Sequence, residues 1–110
     1  MDDFMEQLQR NITEVEQIAD RIEAGEEYRE DIKTYLPELN AMVSAVFAIS
    51  RGEAPLVPLD QGFATQVLQD VLYGLEQSDS VFLLDALRYG LLEIYYYVGE
   101  ELQKLAEQKG

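Results

Sequence analysis

The segment from Val81 to Val98 constrains the fold more than any other part of this chain. Its sequence, VFLLDALRYGLLEIYYYV, is apolar or tyrosine almost all the way round a helix. The interruptions are Asp85, Arg88, Gly90 and Glu93. A surface helix of a small domain needs one apolar stripe only. The segment therefore either lies at the centre of the fold or presents a second apolar face to a partner.

The chain has 110 residues and contains neither cysteine nor histidine. The length predicts a single domain over residues 1–110 that can bury a hydrophobic core. Without cysteine and histidine there is no disulfide framework, no thiol chemistry and no imidazole base. The di-iron class of helical bundle, which uses Glu-x-x-His pairs, is excluded for the same reason. We expect a protein that is not an enzyme and needs no cofactor.

The net charge is −14, from 8 Lys and Arg against 22 Asp and Glu. Nucleic acids and anionic membranes attract basic patches, which so few scattered cations do not form. No stretch reaches the ~20 uninterrupted apolar residues of a membrane helix. The N-terminus MDDFMEQLQR lacks the basic and apolar regions of a secretion signal. We expect a cytoplasmic protein that binds neither nucleic acid nor membrane and favours basic partners.

Helical spacing of apolar residues predicts an all-α protein. In chain order the predicted helices cover Asp2–Glu23, Glu26–Ser50, Gln61–Gln77 and Ser80–Glu107. Asp60 is placed to cap the third helix, and a turn with capping residues follows at 78–80. The third helix is expected to turn these side chains inward: Phe63, Val67, Leu68, Val71, Leu72 and Leu75. Short connections between long amphipathic helices predict an antiparallel four-helix bundle.

Pro37 interrupts the second helix, because proline lacks a backbone donor and clashes with the preceding turn. Either a kinked helix runs through Pro37, or a short helix ends near Tyr35 and another begins at the proline. Proline suits the first position of a helix, which favours the split.

The last helix carries two apolar faces when its residues are placed at intervals of about 100°. The face predicted to meet the core holds Leu84, Leu87, Leu91, Ile94 and Val98, with Leu83 and Gly90 beside them. Gly90 is expected to let a neighbouring helix approach closely. The second face holds Phe82, Tyr89 and Tyr96 at intervals of seven, with Asp85 and Leu92 between them and Val81 nearby.

This second face admits two interpretations. Its tyrosines are either half-buried with their hydroxyls in water, or part of a binding surface. A contiguous apolar patch of this size is unusual on a monomer, which favours binding. The predicted partner-binding residues are Phe82, Asp85, Tyr89, Leu92 and Tyr96. We expect a homodimer, or a protein that binds an amphipathic helix of another protein.

Asp70 and Asp85 lie in apolar parts of the third and fourth helices. A buried carboxylate needs a partner, and Arg88 is the expected partner of Asp85. The role of Asp85 is expected to be structural, and the fold is expected to tolerate Asp85→Leu.

Two acidic clusters suggest an alternative function. They are Glu26, Glu27 and Glu30 in one cluster, and Glu76 and Asp79 in the other. Together they resemble the all-helical nucleotide pyrophosphohydrolases, in which such carboxylates on two helices hold Mg²⁺. That resemblance implies a Mg²⁺-dependent hydrolase. The positions of the clusters at predicted helix ends favour ordinary solvated charge instead.

The second half of the chain, ATQVLQDVLYGLEQSDSVFLLDALRYGLLEIYYYV, resembles a helix-turn-helix pattern of small uncharacterised bacterial proteins. In that pattern a leucine-rich helix ends near a Glu, an Asp opens the next helix, and an Asp and a Tyr follow. The matching residues are Glu76, Asp79, Asp85 and Tyr89. By size, acidity and helicity the chain is also similar to the flagellar and type III export chaperones. The first resemblance implies a helical bundle of unknown role, and the second a chaperone-like or adaptor-like interaction protein.

Overall fold

The computed structural model describes residues 2–109, and four helices pack there into one compact globule. The first three are α1 (Asp2–Glu23), α2 (Arg29–Ser50) and α3 (Gln61–Glu76). The C-terminal helix has three consecutive parts, α4 (Ser80–Ala86), a π-helical turn (Leu87–Leu91) and α5 (Leu92–Lys109). No strand occurs between residues 2 and 109. The prediction of an all-α chain is confirmed.

The predicted split at Pro37 is wrong, because α2 continues through this residue as one helix. Pro37 and Lys33, one turn earlier, are both exposed. Water can therefore reach the carbonyl group that the missing proline N–H leaves without a partner. The buried face of α2 continues on both sides of the proline: Ile32, Tyr35, Leu39, Met42 and Val46. Packing along this face outweighs the local penalty.

Two aspartates cap the N-termini of α3 and α4, as the sequence predicts. Asp60 accepts a hydrogen bond from the Phe63 N–H at 3.1 Å, and Asp79 accepts one from the Phe82 N–H at 3.0 Å. Each cap satisfies an amide that has no partner inside its helix. The caps fix where α3 and α4 begin.

Two glycines let α3 lie close to the C-terminal helix. A Cβ atom on Gly74 would lie 3.0 Å from the Cα of Leu83. A Cβ atom on Gly90 would lie 2.9 Å from Cγ1 of Val67. The expected close approach at Gly90 is confirmed.

This close approach also changes the buried face of α3. Its buried residues are Ala64, Val67, Val71 and Gly74, so small residues take half of the contact positions. Phe63 and Leu72 are exposed, and their predicted inward orientation is wrong. Leu68 and Leu75 are partly buried at the margin. A pattern of large apolar residues does not reveal a contact that small residues make.

The π-helical turn changes which residues of the C-terminal helix face the core. N–H groups in such a turn bond five residues back, so the turn contains one extra residue. Residues after it are rotated by about 100° relative to an unbroken α-helix. The buried series is Leu83, Ala86, Leu87, Gly90, Leu91, Leu92, Ile94, Tyr95, Val98 and Leu102. Most of the predicted core face is confirmed, but Leu84 is only partly buried.

A chain of hydrogen bonds crosses the core between α1, α2 and α5. The Tyr35 hydroxyl donates to Oδ1 of Asn11 at 2.6 Å and lies 2.9 Å from the Tyr95 hydroxyl. Because Tyr35 has one hydroxyl proton, Tyr95 is the donor in the second bond. Asn11 donates in turn to the carbonyl of Gln7 at 2.7 Å. Burial raises the pKa of Tyr95 to about 12 and that of Tyr35 well above its ordinary value, so both keep their protons.

Gly90→Ala is expected to lower the free energy of unfolding by about 1–3 kcal/mol, because the new methyl group would overlap Val67. Gly99→Ala is the matched control, since a Cβ atom there would lie an ordinary 3.5 Å from Leu8. The control is expected to be neutral, or to stabilise by up to about 1 kcal/mol through helix propensity. Urea unfolding followed by circular dichroism measures both. Equal effects would contradict the close approach at Gly90.

Tyr35→Phe is expected to destabilise the fold more than Tyr95→Phe. Loss of the Tyr35 hydroxyl leaves the Tyr95 hydroxyl and Asn11 Oδ1 without partners, and each buried unpaired group costs about 1–3 kcal/mol. Loss of the Tyr95 hydroxyl keeps the Tyr35–Asn11 bond, at a cost of about 1 kcal/mol. Chemical unfolding of the two variants measures the order. The reverse order would contradict the direction of donation described above.

Candidate partner-binding surface

The predicted second face of the last helix is partly exposed and partly buried. Phe82 and Tyr89 are exposed, Tyr89 over 72% of its surface, and Asp85 is exposed between them. Leu92 is only 4% exposed and packs in the core. The π-helical turn rotates Leu92 inward, where it still lines the same shallow concavity as Tyr89 and Tyr96 but offers a partner little accessible area. A regular helix would have left it in line with Tyr89.

Tyr96 turns towards α1 rather than continuing in line with Phe82. Its hydroxyl donates to Oε2 of Glu16 at 2.6 Å, and this bond raises the pKa of Tyr96 to about 12. The side chain remains 39% exposed. Together with Tyr89, Arg88 and Asp20 it lines a shallow concavity between α1 and the C-terminal helix. Tyr96 therefore stays on the surface but is held by α1.

Arg88 does not pair with Asp85, and that prediction is wrong. The guanidinium lies 2.9 Å from Oδ1 of Asp20 and also forms an ion pair with Glu23. The hydrogen bond that Arg88 donates to the Glu23 carboxylate raises the pKa of Arg88 above its ordinary value. Asp85 is exposed and makes no ion pair with any residue from 2 to 109. Arg88 thus links the C-terminal helix to α1.

The other carboxylate predicted to be buried, Asp70, is partly buried on α3. It accepts a hydrogen bond from the Gln66 side chain at 2.9 Å. This bond lies within one helix at four residues' spacing, which is ordinary for a helix surface. Neither Asp70 nor Asp85 is therefore a buried carboxylate that requires a charged partner.

Sequence reasoning missed Tyr73 on α3, which is exposed beside Phe82. The two rings pack edge to face, with their centroids 5.4 Å apart. The helical spacing of α3 could have predicted its exposure, because Tyr73 lies away from the face that holds Val67, Val71 and Gly74. We call the exposed side chains Tyr73, Phe82, Tyr89 and Tyr96 the aromatic strip.

A second shallow concavity lies farther along the C-terminal helix, where the loop before α3 meets α5. Its lining includes Pro58, Phe63, Glu93 and Tyr97. The Tyr97 hydroxyl donates to the carbonyl of Pro58 and holds the loop in place. Phe63, incorrectly predicted to point inward, presents its ring here. Aromatic side chains therefore lie at both ends of the surface between α3 and the C-terminal helix.

The part of the chain that carries the aromatic strip has almost only negative charges. Between Gly52 and Gln103 the only Lys or Arg is Arg88, and Asp20 and Glu23 already pair with it. The acids of the same range are Glu53, Asp60, Asp70, Glu76, Asp79, Asp85, Glu93, Glu100 and Glu101. The strip is thus an aromatic surface in a negative electrostatic environment.

The acidic residues of the two clusters that suggested a Mg²⁺-dependent hydrolase either make structural hydrogen bonds or are exposed to solvent. Glu27 accepts hydrogen bonds from the N–H groups of Tyr28 and Arg29 at the start of α2. Asp79 caps α4. The remaining members are exposed: Glu26, Glu30 and Glu76. Across the part of the chain that the structure describes, no three acidic, His or Cys side chains converge where they could hold a metal ion.

A scan against protein-family models, a search of curated proteins and a search of solved structures each find no match. No helix within residues 2–109 combines the length and the apolar character that crossing a membrane requires. The role of the protein is therefore inferred from the chemistry of its own surface.

Leu92→Asp is expected to unfold the protein, because an unpaired carboxylate at this buried position costs several kcal/mol. Asp85→Leu is the matched control, the opposite exchange seven residues earlier. We expect it to change stability by no more than about 0.5 kcal/mol, since Asp85 is exposed. Thermal melting followed by circular dichroism compares the two. A folded Leu92→Asp variant with unchanged stability would place Leu92 on the surface.

Proposed function

We propose that this protein is a non-enzymatic protein–protein interaction module that binds through the aromatic strip. The observation that carries the proposal is Tyr89, a residue 72% exposed on a helix and lying between Phe82 and Tyr96 in the sequence. Aromatic side chains supply a large contact area at a small loss of rotamer entropy, and they are enriched where proteins bind each other. Tyr73 packs against Phe82, and Tyr89 lines one concavity with Tyr96, and exposed apolar groups of this kind are typical of an interaction site.

We further propose that the four helices form the antiparallel bundle expected from the sequence. Contacts of α3 support this arrangement, because Gly74 meets Leu83 whereas Val67, earlier in α3, meets the later residue Gly90. A bundle of this kind would hold the strip on rigid elements. A preorganised surface loses less entropy on binding.

The partner is either a second copy of the chain or an amphipathic helix of another protein. A symmetric dimer interface places the same patch of both copies face to face. For a chain of net charge −14, that would bring two acidic surfaces together. Like charges across an interface reduce affinity, so charge favours a different protein as partner. We retain the cytoplasm as the proposed location and propose no nucleic-acid or membrane binding.

The first test is the native mass by light scattering over a concentration series, for wild type and Tyr89→Glu. If wild type is a dimer and Tyr89→Glu is a folded monomer, the strip is a self-interface. If both are monomers, a fluorescein-labelled amphipathic helical peptide without charged residues is titrated by anisotropy. We expect wild type to bind it at least about 10-fold more tightly than Tyr89→Glu, as for a central aromatic contact.

Thr13→Glu adds the same charge at an exposed position of α1 and is the control. It is expected to leave binding unchanged. A folded wild-type monomer that binds no amphipathic peptide would contradict the proposed function.

A further inference from the structure

One row of side chains on the C-terminal helix alternates carboxylates with an exposed tyrosine. Asp85, Tyr89 and Glu93 follow each other at intervals of four residues, and all three are exposed. In an unbroken α-helix Glu93 would be turned about 80° away from Asp85. The extra residue of the π-helical turn reverses this drift and keeps the three side chains in one row.

Apolar rings lie beyond both ends of this acidic row. Phe82 and Tyr73 pack together before Asp85, and the concavity with Phe63 and Tyr97 follows Glu93. From Phe82 to Tyr97 the surface extends about 22 Å, at 1.5 Å per helical residue. That length matches about four turns of a docked helix.

The two carboxylates of the row, Asp85 and Glu93, are without an ion-pair partner among residues 2–109. Arg88, which lies between them in sequence, is directed to α1 by its pairs with Asp20 and Glu23. Exposed acids beside exposed rings attract cations in two ways, through charge and through the face of the Tyr89 ring.

We infer that this surface binds a basic amphipathic helix of another protein. Asp85 and Glu93 are about 12 Å apart along the helix axis. Their partners would be Lys or Arg side chains two turns apart, at positions i and i+7 or i+8. Apolar side chains of the same helix would cover the ring pairs at the two ends. A second copy of this chain fits less well, because the one Lys or Arg between residues 52 and 103 is Arg88, which is already paired with Asp20 and Glu23.

The inference rests on the proposed function and adds the chemistry of the partner. Its test uses three labelled helical peptides with the same leucine face. The first carries lysines at i and i+7, the second glutamines there, and the third glutamates. Anisotropy titrations with the full-length protein are expected to show that the lysine peptide binds at least about 10-fold more tightly than the glutamine peptide. The preference for the lysine peptide is expected to fall as the salt concentration rises, because salt screens the electrostatic attraction.

The decisive variant is Asp85→Asn combined with Glu93→Gln. It is expected to lower the affinity for the lysine peptide about 3- to 10-fold, as for the loss of two exposed ion pairs, and to leave the affinity for the glutamine peptide unchanged. The matched control is Glu6→Gln combined with Glu38→Gln, which changes the net charge equally on the side where α1 meets α2. The control is expected to keep the preference for lysine. Circular dichroism checks that both double variants remain folded.

Each contrary outcome identifies which proposal fails. If the glutamine peptide binds as tightly as the lysine peptide, and Tyr89→Glu weakens both, the interaction module stands and the basic partner is wrong. If the control variant loses as much affinity for the lysine peptide as the test variant, the net charge of the protein, rather than Asp85 and Glu93, attracts the peptide, and the inference is overturned. If no peptide binds and the protein is a monomer, the proposed function fails as well.

Discussion

The close contact of α3 with the π-helical turn at Gly90 is the constraint on which the rest of the structure depends. The absence of a side chain at Gly90 lets Val67 reach the backbone of the turn. The extra residue in the turn then sets the rotation of everything that follows. Leu92 and Tyr95 enter the core, and Asp85 and Glu93 come into one row. One local irregularity therefore shapes both the interior and the candidate binding surface.

Three consecutive tyrosines show what this rotation achieves. Tyr95 reaches Tyr35 of α2 in the core, Tyr96 reaches Glu16 of α1, and Tyr97 reaches the loop before α3. Each hydroxyl joins α5 to a different part of the fold. The buried Tyr95 depends most on its hydrogen bond, because an unpaired hydroxyl in the core costs more free energy than its hydrogen bond contributes. The fold thus accounts for the hydroxyl group of each of these tyrosines, and Tyr96 also remains exposed as part of the aromatic strip.

Tyr89 and Tyr73 differ from those three, because the hydrogen bonds described within residues 2–109 involve neither hydroxyl. They stand on the outer surface with Phe82, in a part of the chain, residues 52–103, whose one Lys or Arg is the paired Arg88. Surface rings of this kind contribute little to the stability of an isolated chain, and their contact area becomes favourable only when a partner covers it. A basic helix would cover the rings and pair with the acids at once. The acidic surroundings would also speed its encounter and discourage self-association.

What the sequence alone determined was local. The helix α1, the aspartate caps and the all-helical class followed from periodicity and from side chains that bond amides three residues away. The exposed Phe82 and Tyr89 and the close approach at Gly90 could also be predicted from spacing. Tertiary packing decided the rest, because it selects among arrangements that are locally similar in energy. It kept α2 intact at Pro37, exposed Phe63, paired Arg88 with α1 and turned Leu92 inward, since each depends on a neighbouring helix that the local sequence does not reveal.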